Sequence, residues 1–402
     1  MRGSDKSARL IWVLSVALSS LPSATASGQA PPQSVTGTVK YGPSGVQLDG
    51  KTWAWTRLAE VTETPPDPAA MKAEYERRAG RVGKTAGAHA TLGKWCRENG
   101  LDAEADREVT AALELDPEHA AARKAAGFVK VASGWKKAAE VLPEKLAALK
   151  DADRAGRLAL ADWARDHGLT GAEWDLLVPA AVADGIDAKV GARVKRAVAA
   201  RRPQTTLRPP LEGRWQFFPD VTRHHQGKVW NIFAIDFVRI DDQGRQNVGR
   251  GDSLADYHSW GQPIYAAADG VVVSVKGDYP DAPAGKLGRH EEANTILIRH
   301  TAEEYTMYGH LQKGSAAVSA GDKVRKGQLI GKVGNSGTSN VPHLHFALLL
   351  AVRDGARSGF VGVPYQFDAF TLVKVGRTPC EVRMKTATPQ EGWLMDFDRP
   401  TE

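Results

Sequence analysis

The pentapeptide at residues 342–346, Pro-His-Leu-His-Phe, constrains the fold more than any other feature of the sequence. It follows a glycine-rich turn at residues 331–337 and opens an apolar run, residues 346–352, of the kind that forms a buried strand. Because residues two apart in a strand point to the same face, His343 and His345 are expected to stand side by side. Two histidines on one strand face favour a metal site over two packing residues.

Two upstream segments add candidate partners for these histidines. Residues 305–311 (YTMYGHL) predict a strand that ends in a tight turn with His310 at its tip. Residues 231–237 (NIFAIDF) predict a short apolar strand that carries one acid, Asp236. Burying a carboxylate without a partner costs a free energy on the order of several kcal/mol, and a divalent cation offsets that cost. Imidazole and carboxylate together suit zinc, which in catalytic sites keeps three protein ligands and one position for water.

Four ordered segments resemble the lysostaphin/LytM-type zinc endopeptidases of bacterial cell walls. The segments are residues 268–275 (ADGVVVSV), 294–300 (NTILIRH), 305–311 and 318–346, the last ending in PHLHF. The resemblance covers residues 211–375 and implies an antiparallel β domain with a Zn²⁺ site. It implies that Asp236, His345 and a histidine ahead of Asp236 bind the zinc, and that His310 and His343 flank the catalytic water.

The first metal ligand departs from the usual family pattern. That pattern places a histidine four residues before the Asp, where this chain has Ile232. Some members have a longer loop with a histidine ahead of an aromatic-Ala-x-Asp-Phe strand, which residues 233–237 resemble. The ligand is therefore assigned to His224 or His225, with the choice between them left open. The alternative is that both are solvated loop residues and the site is degenerate.

The implied reaction is metal-assisted hydrolysis of a peptide, with peptidoglycan cross-links as the expected substrate. We expect His343 to act as the base and His310 to hold the water or stabilise the oxyanion, although the two roles could be exchanged. The competing hypothesis is a catalytically degenerate module that binds the cell wall or activates another hydrolase. A third, weaker hypothesis makes the helical region a platform for a protein partner.

The whole chain has the features of an exported protein. Its 402 residues allow two or three domains. Residues 1–26 resemble a secretory signal, with a basic start, an apolar stretch and an Ala-x-Ala cleavage site. No later segment is apolar enough to span a membrane, so we expect a secreted, periplasmic or cell-envelope protein. The net charge of +6 is too weak and dispersed to indicate nucleic acid binding, and the absence of Cys-x-x-Cys excludes a thiolate zinc site.

The predicted fold class is multidomain α+β, with an α-helical N-terminal domain followed by an antiparallel β-sheet peptidase domain. We predict a small β element at residues 35–64 and a helical domain at residues 69–202. Within the latter, residues 89–130 weakly resemble tetratricopeptide helix hairpins, with an interruption at residues 133–135. The peptidase domain is expected at residues 211–375, followed by a polar tail at residues 376–402.

Overall fold

The computed structural model describes most of the chain in two compact units. The described residues are 12–18, 33–37, 39–42, 44–48, 51–55, 58–64, 68–149, 154–184, 188–199, 203–218, 228–354, 357–375 and 378–397. One unit is built mainly from Pro65–Gly185, and the other from Arg201–Glu402 together with Leu14–Thr64. Most of the predicted signal at residues 1–26, and the predicted ligands His224 and His225, lie outside the described residues.

Six short strands occupy the described residues before the first helix. They are β1 (Trp12–Leu18), β2 (Gln33–Gly37), β3 (Val39–Gly42), β4 (Gly45–Leu48), β5 (Lys51–Ala54) and β6 (Leu58–Thr64). Strands β3, β4 and β5 form an antiparallel meander, as the alternating sequence of the small β element predicts. Its close turn leaves no room for a side chain at Gly45, where a Cβ would lie 2.7 Å from the carbonyl carbon of Trp53.

The helical unit contains eight helices and one β-hairpin among the described residues. The helices are α1 (Pro68–Ala79), α2 (Ala86–Glu98), α3 (Asp102–Leu115), α4 (Ala120–Ala125), α5 (Ala138–Ala147), α6 (Arg154–Asp166), α7 (Thr170–Asp184) and α8 (Ala188–Ala199). Helices α2 and α3 form the hairpin expected from the tetratricopeptide-like pattern. Gly93 permits their close approach, since a Cβ there would lie 3.1 Å from Val109 and 3.2 Å from the Ala105 carbonyl.

The region expected to form a helical domain includes strands at residues 128–137, around the interruption in the sequence pattern. These residues form strands β7 (Phe128–Val131) and β8 (Gly134–Lys137), paired antiparallel. The tight turn at residues 132–133 is followed by Gly134, whose φ of +115° favours glycine. A second helical repeat is therefore replaced by a hairpin where the sequence pattern is interrupted.

The remaining strands build a large, mainly antiparallel sheet. They are β9 (Gly213–Phe217), β10 (Ile235–Val238), β11 (Pro263–Tyr265), β12 (Gly270–Lys276), β13 (Thr295–Arg299), β14 (Glu304–Gly309), β15 (Lys323–Val324), β16 (Leu329–Lys332), β17 (Leu344–Asp354), β18 (Arg357–Gly362), β19 (Phe367–Val375), β20 (Thr378–Ala387) and β21 (Trp393–Phe397). The order runs β15-β12-β13-β14-β17-β10-β9-β21-β19-β20-β6, with β18 beside β17 and β11 paired separately with β16.

Strand β17 forms the centre of this sheet. Leu344, Phe346 and Leu348 are fully buried on one face, and Ala347 and Leu349 are almost fully buried on the other. Burial on both faces explains why the sequence has a continuous apolar run there instead of alternation. Strands β10 and β14 pair with β17 on its two sides, so residues from three strands meet at one end of β17.

The C-terminal segment expected to be a polar tail differs from that expectation. Strand β20 pairs with β19, and β21 lies between β19 and β9. Trp393, Met395 and Phe397 alternate with partly exposed residues along β21 and are buried. The polar residues between them belong to the exposed face of the strand, which is why composition alone suggested a tail.

The small β element also joins the main sheet. Strand β6 pairs in parallel with β20, and the Trp55 and Trp393 rings pack edge to face with centroids 5.8 Å apart. The β-rich unit therefore extends beyond residues 211–375 at both ends. Among the helices of the described residues, none combines the length and apolar character needed to cross a membrane.

Candidate active site

Asp236 and His345 face each other across two paired strands. They are direct partners in the register of β10 and β17, and His345 Nδ1 lies 2.8 Å from Asp236 Oδ1. Both residues are buried, with 7% and 5% of their surface exposed. On the other side of β17, Gly309 is the register partner of His345, and a Cβ at Gly309 would lie 3.3 Å from that of His345. The sheet thus holds an acid and an imidazole together at the end of its central strand.

His343 reaches the same carboxylate from the residues just before β17. Its Nε2 lies 3.7 Å from Asp236 Oδ2. Its Nδ1 lies 2.8 Å from the Val341 carbonyl oxygen. A carbonyl oxygen can only accept, so Nδ1 carries the proton and donates it. The lone pair of the neutral ring is then on Nε2, the atom nearer Asp236.

His310 lies at the tip of the preceding strand, as the sequence predicts. It follows β14 directly and has a φ of +60°, a left-handed conformation that is uncommon for residues with a side chain. Its Nδ1 lies 2.7 Å from the Ser336 carbonyl oxygen, which again requires the proton on Nδ1. The His310 ring centroid is 4.6 Å from that of His343 and 5.8 Å from that of His345. The three imidazoles form one cluster.

Burial sets the charge state of His310. Removal from water, followed by the proximity of His343 and His345, lowers the pKa of His310 well below its usual value of 6.5. The ring is therefore neutral at physiological pH, with an Nε2 lone pair able to accept a proton.

The cluster opens into a groove of about 470 Å³. Besides the four residues already described, its lining includes Phe218, Lys228, Trp230, Asn231, Val238, Leu287, His290, Ala293, Thr295, Met307, Gly309, Thr338, Ser339, Asn340 and Val341. Trp230 was not expected at the site, and its ring lies edge to face with His345 at a centroid distance of 6.0 Å. Only its place in the segment before Asp236 could have suggested it.

The segment at residues 279–293 forms one side of this groove. Leu287 and His290 line the groove, and the Gly285 N–H donates to the Asn340 carbonyl at 2.8 Å. This segment thus packs against the loop that carries Thr338 to Val341.

His300 is separate from the groove and has a structural role. Its Nδ1 is 2.7 Å from the Asp269 carbonyl, and its Nε2 is 2.8 Å from Thr306 Oγ1. Removal from water lowers the pKa of His300 below 6.5, although the bond to Asp269 opposes that shift. The ring links a turn to β14.

The donor set at Asp236 fits a zinc ion. A buried carboxylate and an imidazole nitrogen meet at one point, with a groove beside them, and both are common zinc ligands. Among the described residues, no three side chains are already arranged as a metal-binding group. Asp236 and His345 are hydrogen-bonded to each other, and the third predicted ligand, His224 or His225, belongs to the segment 219–227 that is not described.

Part of the β-rich unit is similar to known peptidases. Residues 250–355 match the model of peptidase family M23. The peptidoglycan DD-endopeptidase ShyA of Vibrio cholerae is 38% identical over 93 residues, which are 23% of this chain and 19% of that protein. The DD-carboxypeptidase/endopeptidase Mpg of Neisseria meningitidis is 39% identical over 86 residues, 21% of this chain and 17% of that protein. The chain spans less than a fifth of the length of either relative.

Two solved structures are similar to part of this chain. The catalytic domain of lysostaphin from Staphylococcus simulans matches 37% of this chain and 84% of its own, with 21% identity and a TM-score of 0.22. A zinc-containing peptidase from Vibrio cholerae matches 32% of this chain and 48% of its own, with 22% identity and a TM-score of 0.19.

Proposed function

We propose that the chain, whose residues 250–355 match the model of peptidase family M23, is a zinc-dependent endopeptidase that hydrolyses peptide cross-links of peptidoglycan. One observation carries the proposal. Asp236, His345, His343 and His310 come from three separate parts of the sequence and converge in one groove. A buried acid among three imidazoles has little value for packing and is suited to binding a cation.

In this proposal Asp236 and His345 hold the zinc, with His224 or His225 as a third ligand. A bound zinc ion would lower the pKa of water toward about 7 and polarise the scissile carbonyl. The protein's own contribution to proton transfer comes from His343 and His310. Each carries its proton on Nδ1 and presents the basic Nε2, so either ring can take a proton and later donate it to the leaving amine.

We assign His343 as the base because its Nε2 lies 3.7 Å from the Asp236 carboxylate. A positive charge that develops on this ring during proton transfer is stabilised by a nearby carboxylate. His310 then orients water or stabilises the oxyanion.

The substrate assignment rests on the relatives. ShyA and Mpg are named as enzymes that act as endopeptidases, and ShyA is named for peptidoglycan. A groove open to solvent is also suited to an extended peptide held in a large polymer. Which peptide bond is cut depends on the residues that line the groove.

The degenerate-module alternative keeps one specific point in its favour, the displaced first ligand. It requires that His224 and His225 remain away from Asp236. The retention of both proton-transfer histidines in one cluster favours the enzyme, because a module that only binds the wall has no use for two basic Nε2 atoms facing a groove.

Export and partner binding complete the proposal. The signal-like residues 1–26 and a wall substrate are consistent with a secreted, periplasmic or cell-envelope enzyme. The helical unit is proposed as a surface for a protein partner, as its α2–α3 hairpin is of a kind used for protein contacts.

A digestion experiment tests the proposed activity. Purified protein is incubated with isolated peptidoglycan, and released amino groups and soluble fragments are measured together with the zinc content. We expect peptide cross-links to be cut, and the cutting to stop on chelation and return on addition of zinc. A protein without bound zinc and without cutting would support the degenerate module.

A further inference from the structure

We propose that a basic face on the β7–β8 hairpin of the helical unit binds the carboxylates of peptidoglycan and so holds the enzyme on its polymeric substrate. The basic face consists of Arg123, Lys130 and Lys137, which lie around the rings of Phe128 and Trp135. The choice of polymer rests on the proposed function, whereas the affinity of the face for carboxylates does not.

The positive charge of the chain is concentrated around this hairpin. Residues 120–139 contain five basic residues and no acidic residue, although the net charge of the whole chain is only +6. The five are Arg123, Lys124, Lys130, Lys136 and Lys137. The charge is therefore less dispersed than the composition of the chain suggested.

The pairing of β7 with β8 places four side chains on one face of the hairpin. Phe128 is the register partner of Lys137, and Lys130 is the register partner of Trp135. Paired residues, and residues two apart along a strand, share a face of a sheet. These four side chains therefore lie together, whereas Lys136 belongs to the opposite face.

The two aromatic rings keep the three cations of this face close together. Lys137 Nζ lies 4.1 Å from the Phe128 ring centroid, and the Arg123 guanidinium carbon lies 5.1 Å from it. Arg123 is also 5.9 Å from the Trp135 centroid, and Lys130 Nζ is 5.7 Å from that centroid. The attraction of each cation to the electron-rich face of a ring offsets the repulsion among three like charges.

The basic face differs from the rest of the helical unit because it has no acidic partner. Arginines elsewhere in that unit form ion pairs with carboxylates, namely Arg77, Arg78, Arg97, Arg107, Arg165 and Arg193. Among the residues that the structure describes, no carboxylate forms an ion pair with the three cations of the face. The nearby Glu118 accepts a hydrogen bond from the Trp135 indole N–H instead, at 3.0 Å. The charge of the face is thus left for an external anion.

The basic face also has donors available for a carboxylate. Arg123 donates from Nε to the Pro117 carbonyl at 2.7 Å, and within the described part of the chain its Nη groups make no hydrogen bond. The Lys130 ammonium makes none there either, and the Lys137 ammonium makes one, to the Ala126 carbonyl at 2.8 Å. Guanidinium and ammonium groups both form strong hydrogen bonds with carboxylates.

A polymer that carries carboxylates fits this face better than a membrane or a nucleic acid. The large apolar side chains exposed in the described residues all lie outside residues 120–139, so the hairpin has no apolar anchor for lipid. Phe128 and Trp135 are half-buried and already have the protein's own cations over them, whereas bases need an open ring for stacking. Recognition by charge remains, and the peptides of peptidoglycan carry free carboxylates along the polymer.

Binding by the basic face would increase cutting of the polymer without changing the chemistry in the groove. Two attachments of one protein to the same polymer raise the effective concentration of cross-links at the groove. A short soluble peptide occupies the groove alone and gains nothing from the face. The face is therefore expected to affect hydrolysis of intact peptidoglycan only.

A sedimentation experiment tests the binding. Full-length protein is mixed on ice with isolated, insoluble peptidoglycan, and the bound fraction is measured as the polymer concentration is varied. The double variant Arg123→Gln/Lys130→Gln should bind about 10-fold more weakly, at about threefold for each exposed ion pair lost. The matched control Lys124→Gln/Lys136→Gln removes the same charge from two exposed side chains that lie over neither ring, and its affinity should fall by less than about twofold.

Modified probes test the chemistry of the partner. Added salt should weaken binding of the wild type, since the contacts are between exposed charges. Peptidoglycan whose carboxylates have been converted to methylamides should bind the wild type and the Arg123→Gln/Lys130→Gln variant equally. Vesicles of phosphatidylglycerol and double-stranded DNA are the competing probes, and tighter binding to either that is lost in this variant would overturn the assigned partner.

A second pair of variants covers the case in which the double variant has a lower melting temperature. Lys130→Glu and Lys136→Glu each change an exposed lysine of the hairpin whose ammonium makes no hydrogen bond within the described residues. Lys130→Glu should weaken binding to peptidoglycan more than Lys136→Glu does. Fragment release from peptidoglycan should fall in parallel, while hydrolysis of a short soluble cross-linked peptide should stay at the wild-type rate.

The outcomes separate this proposal from the proposed function. Binding that depends on Arg123 and Lys130 supports the basic face even if the wild type cuts no peptidoglycan, a result that would count only against the endopeptidase. Equal binding by the two double variants, or by Lys130→Glu and Lys136→Glu, would overturn the basic face while leaving the endopeptidase proposal intact. Absence of wild-type binding to peptidoglycan would overturn it as well.

Discussion

The two units of the chain each bury a carboxylate beside a histidine, and the pair in the β-rich unit lines the groove described above. In the helical unit, Glu108 is 6% exposed and lies 2.7 Å from His89 Nδ1. In the β-rich unit, Asp236 is 7% exposed and lies 2.8 Å from His345 Nδ1. Burial and pairing are nearly equal, so neither distinguishes a structural pair from a candidate active site.

The surroundings of the two carboxylates differ. Glu108 also accepts from the Tyr75 hydroxyl at 2.8 Å through its other oxygen, and removal from water raises the pKa of Tyr75 to about 12, so this donor stays protonated. Each oxygen of Glu108 thus has its own donor. Asp236 instead has a second histidine, His343, beside its other oxygen. The comparison teaches that several basic nitrogens converging on one carboxylate beside a groove indicate chemistry, whereas a buried acid–histidine pair alone does not.

Replacing each of the two carboxylates in turn is expected to give the largest difference in zinc content and hydrolysis between variants of the two units. Asp236→Asn should remove bound zinc and lower peptidoglycan hydrolysis. The loss should exceed the decrease of about 10- to 100-fold that follows when a residue hydrogen-bonded to a metal ligand is replaced. Glu108→Gln is the matched control and should keep both zinc and hydrolysis at wild-type levels. Zinc content and fragment release measured on both variants check this. Equal effects of the two changes on zinc content and hydrolysis would contradict the difference in role between the two carboxylates.

Replacing a proton-transfer histidine should separate hydrolysis from zinc binding. His343→Ala is expected to keep zinc and lower hydrolysis by about 10²- to 10⁴-fold, the usual contribution of general acid–base catalysis. His258→Ala serves as the control, since His258 is absent from the groove lining. Full activity in folded His343→Ala would show that the catalytic assignment is wrong.

A change at the Glu108–His89 pair should affect stability alone. Tyr75→Phe removes the donor to one oxygen of Glu108 and leaves that buried oxygen unsatisfied, which should lower the free energy of unfolding of the helical unit by about 1–3 kcal/mol. Thermal and chemical unfolding followed by circular dichroism measure this. Hydrolysis by the folded variant is expected to be unchanged, and a loss of activity at full stability would contradict the structural role of the Glu108 pair.

A pH series tests His300, a half-buried histidine bonded to a backbone carbonyl instead of a carboxylate. Since burial lowers the pKa of His300 below 6.5 in the folded protein, the unfolded chain takes up the proton first as the pH falls. The free energy of unfolding should therefore decrease as the pH drops below about 6.5, toward the folded pKa. His300→Asn, which keeps a donor toward Asp269, should flatten this decrease in chemical unfolding measured across the pH series. An unchanged slope would show that His300 does not contribute.

The sequence predicted the strands and the turn around Asp236, His310 and His345 better than it predicted the limits of the β-rich unit. The spacing of His343 and His345 and the turn at His310 reflect local rules of strands and turns, so their convergence with Asp236 could be expected before the structure. Strands β20 and β21 could not, because Trp393 and Phe397 are recognisable as core residues only when their pairing with distant strands is known.

The contacts of Ser339 were equally hidden. Asn335 and Ser336 could be expected to satisfy backbone groups in the turn, and both are fully buried. That Ser339 contacts His343 Nδ1 depends on the path of the whole loop, which also contacts Asp281 more than 50 residues earlier in the chain. Sequence spacing carries no information on such a contact.

Anomalous scattering at the zinc absorption edge from crystals of the full chain tests the central claim most directly. We predict one strong peak about 2.0–2.2 Å from an Asp236 carboxylate oxygen and about 2.0–2.1 Å from a His345 ring nitrogen, with His224 or His225 as a further ligand. Crystals grown with zinc that show no peak between Asp236 and His345 would contradict the account.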